Sequence, residues 1–238
     1  MKLSVPIYSL KRKAKLLSRE EKIPLHAALD RIAAQEGFSS WSLLIAKAPA
    51  ISPARKLFGQ LSPGELVLVG ARPGHGKTLL CLELAVEAMK SGRRAVFFTL
   101  EYTPRDILNR FRDIGVSPSS FGELFEVDCS DAICADYILR KLSSVPANTL
   151  VIVDYLQLLD QRRENPALME QVQALKVFSR SRDLTMVFIS QIARSYEESG
   201  RPLPSVEDIR LPNPLDLNLF DKTCFLNAGQ AHLSGVST

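Results

Sequence analysis

Gly74, Gly76, Lys77 and Thr78 lie within one short run of LVLVGARPGHGKTLLCLELAVEA, the stretch Leu66–Ala88. An apolar run, Leu66 to Val69, precedes them, and a long apolar helical pattern follows. A strand that breaks into a glycine-rich turn and then a helix can cradle phosphates. Gly74 and Gly76 let main-chain N–H groups converge, Lys77 reaches toward β- and γ-phosphates, and the Thr78 hydroxyl falls where Mg²⁺ is held. The first helical turn adds unpaired N–H donors and the positive end of the helix dipole. The expected ligands are therefore ATP and Mg²⁺, and the expected nucleotide contacts are Arg72, Pro73, Gly74, His75, Gly76, Lys77, Thr78 and Leu79. The general pattern asks for a glycine where this chain has Ala71; Gly70 lies one residue earlier. A glycine-rich turn with a solvated lysine is the bland alternative, but its place between a β-run and an apolar helix favours the nucleotide.

Hydrolysis of a nucleotide needs more than a clamp: an acid to orient the metal, a group to position water, and a sensor of the γ-phosphate. Asp154 ends the continuously apolar run TLVIVD and is the candidate metal acid, although an aspartate also ends strands for turn-forming reasons. Glu101 follows RAVFFTL, a strand expected beside the Leu66 strand, and could polarise the attacking water or simply precede a helix cap. Gln191 follows Ser190 at another strand end, where a neutral amide could sense a phosphate. Arg162, Arg163, Arg194, Arg201 and Arg210 gather in the segments 160–166 and 194–210, which could follow a nucleic-acid backbone. Acids at Glu164, Glu197, Glu198, Glu207 and Asp208 dilute that charge, and Tyr196 is the one aromatic. His26, His75 and His232 have no metal-ligand spacing.

These residues need a frame. Apolar runs at Arg94–Leu100, Leu124–Val127, Thr149–Asp154 and Leu184–Ser190 alternate with helical patterns over 103–114, 131–142 and about 167–180. That alternation, with runs apolar throughout, predicts an α/β three-layer fold around a parallel sheet covered on both faces. Ligands of such sheets bind at the carboxyl ends of the strands. Thr103-Pro104-Arg105-Asp106 has the chemistry of a helix start. Residues 193–216 read as a long mobile loop, Leu217–Asn227 as a last strand or hairpin arm, and the tail beyond as small and polar.

The N-terminal side differs. Residues 1–60 carry eleven Lys/Arg against four Asp/Glu, and the remainder nineteen against twenty-two. Residues 1–17 read as a basic tail or docking segment, Ser18-Arg19-Glu20-Glu21 as a capping box, and two short amphipathic helices follow. Two helices are too few to fold alone, so their apolar faces should pack on the core or on a neighbour. The expected division is a basic extension, 1–56, and a catalytic domain, 57–238. Such a basic arm suits a polyanion, an acidic neighbouring subunit, or a plain solvated helix face. Cys81 and Cys224 lie in apolar runs, and none of the four cysteines forms a C-x-x-C pair, so buried reduced thiols and a cytoplasmic setting are expected. No apolar run approaches membrane-spanning length.

ARPGHGKT at 71–78, FFTLE at 97–101, VIVDYLQLL at 151–159, ISQIAR at 189–194 and PSVEDIR at 204–210 together resemble the ATPase domain of the DnaB-type bacterial replicative hexameric helicases. The resemblance implies a RecA-like P-loop NTPase fold with a short N-terminal helical extension, and it tolerates Ala71. It implies phosphate and Mg²⁺ roles for Lys77 and Thr78, a catalytic glutamate at Glu101, a metal-orienting acid at Asp154 and a γ-phosphate sensor at Gln191. It also implies DNA-facing loops near 160–166 and 194–210, and a homo-oligomeric, hexameric ring. On that resemblance no counterpart of the family's primase-binding domain is expected within these residues, and LPNPLDLNLFDK departs from the family pattern after Arg210. The family places a basic finger beyond its last strands, whereas no Lys or Arg follows Lys222, so weak hydrolysis is expected of this chain alone. An ATP-dependent switch without unwinding activity is the alternative, and a non-catalytic relic the third.

Overall fold

The computed structural model describes residues 7–47, 52–160, 162, 164–211, 213–227 and 230–235. It divides into two compact units, Met1–Ser52 and Pro53–Thr238. The expected division after residue 56 falls inside a helix, α4 (Pro53–Phe58), which packs in the second unit.

In the first unit three helices are described: α1 (Ile7–Glu20), α2 (Leu25–Gln35) and α3 (Trp41–Lys47). Part of the expected tail is thus helix. Ser18 lies inside α1 and is not a cap; its hydroxyl donates to the Ile23 carbonyl at 2.7 Å. The extra helix changes the packing argument. Leu10 and Ala14 of α1 join Ala28, Ile32, Ala33, Phe38 and Leu44 in one buried cluster, so the unit has an apolar core of its own. Gly37, at φ 82°, ends α2 by taking the left-handed conformation that a chain reversal there requires. Ala48 and Pro49, expected at the end of the second amphipathic helix, lie outside the described residues.

The second unit is built on a seven-stranded sheet of order β3-β2-β4-β5-β1-β6-β7. The strands are β1 (Leu66–Ala71), β2 (Ala95–Thr99), β3 (Phe125–Asp128), β4 (Leu150–Asp154), β5 (Thr185–Gln191), β6 (Lys222–Asn227) and β7 (Gln230–Gly235). All neighbours pair parallel except β6 and β7. Alternation sends Leu66, Leu68, Val151, Val153, Met186 and Phe188 to one face, with Leu168, Val172 and Leu175 of α8 (Leu168–Ser181). Val67, Val69, Leu150, Ile152, Val187 and Ile189 go to the other, against α5 (Lys77–Lys90) and α6 (Pro104–Asp113). Two buried faces explain why these strands read as unbroken apolar runs.

Four details depart from expectation. The helix expected over 131–142 is confined to α7 (Ala135–Lys141). The polar tail carries β7, paired antiparallel to β6. β2 lies beside β4 and not beside β1, since β4 and β5 intervene. Finally, the segment 193–216 is tied down: Tyr196 Oη donates to the Arg201 carbonyl at 2.7 Å, and Arg201 Nη2 pairs with Asp208 Oδ1 at 2.5 Å. Asn227 Nδ2 reaches Pro202 O at 2.8 Å, and Ala193 N donates to Asp208 O at 2.7 Å. Pro212 lies outside the described residues.

Local chemistry also explains the end of β1. A Cβ on Gly70 would lie 2.7 Å from the Phe225 ring and 3.1 Å from Ile192, whereas the Ala71 methyl is buried on the opposite face. The glycine is needed one residue before the position the general motif asks for. Gly70→Ala is expected to cost about 1–3 kcal/mol by overpacking. Thermal unfolding should show the loss, and Phe225→Leu in the same chain should return part of it.

Candidate nucleotide-binding site

β1 delivers the chain to the turn Arg72–Gly76. Gly74 and Gly76 take φ of 79° and 88°, and Gly76 is the N-cap of α5. Nothing lies within 4 Å of a Cβ built on Gly74, so backbone conformation rather than crowding demands glycine there. Arg72 leaves the turn sideways, its Nη1 donating to the Ile192 carbonyl at 3.2 Å. Lys77 and Thr78 open α5 and are buried. The first N–H groups of α5 have no helical acceptor, which makes this helix start suited to holding an anion.

The opposing wall comes from β4. Thr78 Oγ1 donates to Asp154 Oδ2 at 3.0 Å, while Asp154 Oδ1 is buried without a partner. Burial, then the charge of Glu101, pushes the Asp154 carboxyl from 3.8 up to about 7, against the Thr78 hydroxyl, Lys77 and Arg110. An orphan carboxylate oxygen beside a threonine hydroxyl is a hard-oxygen donor set, which fits a small divalent cation that keeps several waters. The fit is to one carboxylate and one hydroxyl; among the described residues no cluster of three His, Cys, Asp or Glu could hold a metal.

Glu101 stands just past β2, exposed, with its N–H bonded to Thr99 Oγ1 at 3.1 Å. Thr99 is level with Asp154 across the β2–β4 pair, so both acids reach the same end of the sheet although β2 is not the neighbour of β1. Gln191 ends β5 opposite Ala71 at the mouth of the turn. Lys77, Thr78, Asp154, Glu101 and Gln191 are thus brought to one end of adjacent elements. The Arg cluster is divided. Arg162, Arg194 and Arg210 are exposed, Arg201 is engaged by Asp208, and Arg163 lies outside the described residues.

Two residues at this end were not singled out from the sequence. Arg110, on α6, stacks 4.1 Å from the centre of the Tyr102 ring, and its charge opposes the rise at Asp154. Gln157, in the 3-10 turn Leu156–Asp160, donates to Ser190 Oγ at 3.2 Å and to the Arg210 carbonyl at 2.6 Å. Arg210 N returns a bond of 2.8 Å to the Gln191 carbonyl. Neither role follows from local spacing, because each depends on which strands are neighbours.

A parallel sheet whose first strand opens into this turn and helix, with a buried acid across from the helix threonine, defines a P-loop NTPase. Residues 44–209 match the family described as ATPase: KaiC, and the chain belongs to it. The replicative DNA helicase DnaB of Mycoplasma genitalium is 28% identical over 184 residues, covering 62% of this chain and 39% of that protein. A probable plasmid replicative DNA helicase of Chlamydia trachomatis is also 28% identical, over 63% of this chain and 40% of its own length. The chain therefore spans about two fifths of the length of these curated relatives. A solved DnaB-like replicative helicase, described with its interactions with primase, superposes with a TM-score of 0.61 at 18% identity, over 96% of this chain and 73% of that one. The fold is RecA-like, and family membership carries nucleotide binding. Among the described residues no helix is long and apolar enough to cross a membrane.

The buried acid gives the site a pH signature. Folded, the Asp154 carboxyl holds its proton to about pH 7, but unfolded only to its ordinary 3.8. Between those values the folded state binds more protons, so stability falls as pH rises through that window and stays lower above it. Asp154→Asn should raise the melting temperature at pH 8 in a chelator, by an amount worth at most about 4 kcal/mol, and change little at pH 4. Glu83, raised to about 7 by burial and then by Glu87, adds a similar slope. Glu83→Gln separates the two contributions, and an unchanged pH profile in Asp154→Asn would contradict the assignment.

Proposed function

We propose that this chain is an ATP-hydrolysing motor domain of DNA-helicase type that acts in DNA replication. The observation that carries the reading is the 3.0 Å bond from Thr78 to the otherwise unpartnered Asp154 carboxylate, facing the Gly74–Thr78 turn. The turn amides and Lys77 bind the β- and γ-phosphates. Thr78 and Asp154 hold Mg²⁺, which when bound neutralises charge on the phosphate oxygens. Glu101 polarises the attacking water, and Gln191 contacts the γ-phosphate without repelling it. Arg72, Pro73, His75 and Leu79 complete the nucleotide contacts.

Single-stranded DNA is the proposed substrate of the loops near 160–166 and 194–210, through Arg162, Arg194 and Arg210 above all. The relatives' roles in replication support that reading, as does the position of both loops beyond the ends of β4 and β5. A homo-oligomeric ring, hexameric by the DnaB resemblance, and a cytoplasmic setting complete the proposal. In such a ring a cation from the neighbouring subunit serves each site. Lys222, the last cation of the sequence, is committed to Glu65 at 2.6 Å and to the Gln60 carbonyl. Because that cation would come from a second subunit, the chain kept monomeric by dilution is expected to hydrolyse ATP slowly.

ATP turnover with Mg²⁺ should be slow, rise on addition of single-stranded DNA, and vanish in Lys77→Ala. Glu101→Gln should keep ATP binding but lower turnover by about 10²–10⁴-fold. ATP binding without any response to DNA would favour an ATP-dependent switch. Absence of ATP binding in the wild-type chain would end both readings.

A further inference from the structure

Helix α1 carries more cations than any other described element. Lys11, Arg12, Lys13, Lys15 and Arg19 fall within it, and its only acid is the last residue, Glu20. At 100° per residue, Lys11, Arg12, Lys15 and Arg19 share one side of the helix. The opposite side carries Leu10 and Ala14 into the core of the N-terminal unit. Arg12, Lys13 and Arg19 are exposed.

Like charges four residues apart, as in Lys11–Lys15 and Lys15–Arg19, destabilise a helix. A helix needing only solubility would intersperse acids among its cations, and this one has none before its final residue. The cations extend over nine residues, Lys11 to Arg19, about 12 Å of helix axis. Duplex DNA presents about seven phosphates over that length and carries its charge continuously. A row of cations without interleaved aromatics matches a phosphate backbone and offers nothing to read bases with.

We propose that the N-terminal helical unit is a second nucleic-acid-binding surface, with the Lys11–Arg12–Lys15–Arg19 face of α1 docking on the phosphate backbone independently of sequence and of nucleotide. This surface is separate from the loops assigned to DNA above and does not depend on ATP turnover.

The test uses the full chain and labelled single-stranded and duplex oligonucleotides, with binding read by fluorescence anisotropy across a salt series and no nucleotide present. The variant replaces all four cations by glutamine, which has similar helix propensity to lysine and arginine, and circular dichroism checks that it is folded. Its affinity should fall by at least about tenfold near 0.1 M salt, and the slope of log K against log salt should shrink by about 3 units on duplex. The paired Arg12→Lys/Arg19→Lys variant should bind as the wild type does, because charge alone is required. ATP hydrolysis without DNA should be unchanged in both.

A folded glutamine variant with wild-type affinity and slope would overturn the proposal. So would a wild-type chain that binds neither oligonucleotide. A third contrary result is unchanged DNA binding with a lower mass in sedimentation, which would make the face a contact between subunits. Loss of binding to one form only supports the proposal and identifies the backbone geometry that the face prefers.

Discussion

A hydroxyl at the start of one helix and a carboxylate at the end of a strand two places away in the sheet meet at 3.0 Å, and the rest of the second unit makes that meeting possible. Thr78 is placed by β1 and by the left-handed Gly76 that turns the chain into α5. Asp154 is placed by β4, whose every residue is buried between two helical layers. β5 lies between them and fixes their separation, with Asp154 level with Ile189 and Ile189 level with Val69. A parallel sheet holds such a register rigidly, since a slip by one residue would exchange its two apolar faces. The chemistry is thus positioned by elements that have no chemistry of their own.

The same contact is in tension with stability. A buried carboxylate with one unbonded oxygen and a second acid nearby favours its protonated form, and the protein retains that arrangement where an apolar side chain would pack at no such cost. Polar groups left wanting in a core commonly mark a site that a ligand completes. The cations around it oppose the penalty only in part: Lys77 from the phosphate turn and Arg110, which is stacked on the Tyr102 ring, from outside the loop. Mg²⁺ and phosphates, as proposed, would supply positive and negative partners together, so the glycine turn and the perturbed acid would share one explanation.

Much of this was legible in the sequence because the signals are local. The strand–glycine turn–helix at 66–90 and the Thr103–Asp106 capping box with Pro104 at the helix start formed where residue chemistry required them. The sequence also showed which strands were covered on both faces, since unbroken apolar runs have no other use in a chain of this size. What it could not show was the order of those strands. β2 was expected beside β1, yet β4 and β5 intervene, because pairing is decided by packing over more than a hundred residues rather than by any one run. Arg110 and Gln157 were missed for the same reason. In the N-terminal unit the error lay elsewhere: the cations of α1 read as a tail, and the Leu10–Ala14 side that completes a three-helix core was overlooked.

The segment after β5 shows why composition alone misjudges how firmly a loop is held. Four prolines and many polar residues suggested a loose loop, but composition does not count tethers. Ile192 bridges Ile209, Ala193 N reaches the Asp208 carbonyl, and Arg210 N reaches the Gln191 carbonyl, so both ends of 194–210 are fastened to the same few residues at the mouth of the phosphate turn. Gln157, in the 3-10 turn that follows the strand carrying Asp154, then joins Arg210 to Ser190. A loop anchored in this way cannot shift at its base without disturbing the residue proposed to contact the γ-phosphate. Any displacement at Gln191 would be delivered directly to Arg210, which is exposed and charged. One backbone bond of 2.8 Å thus joins the end of β5 at Gln191 to the exposed Arg210.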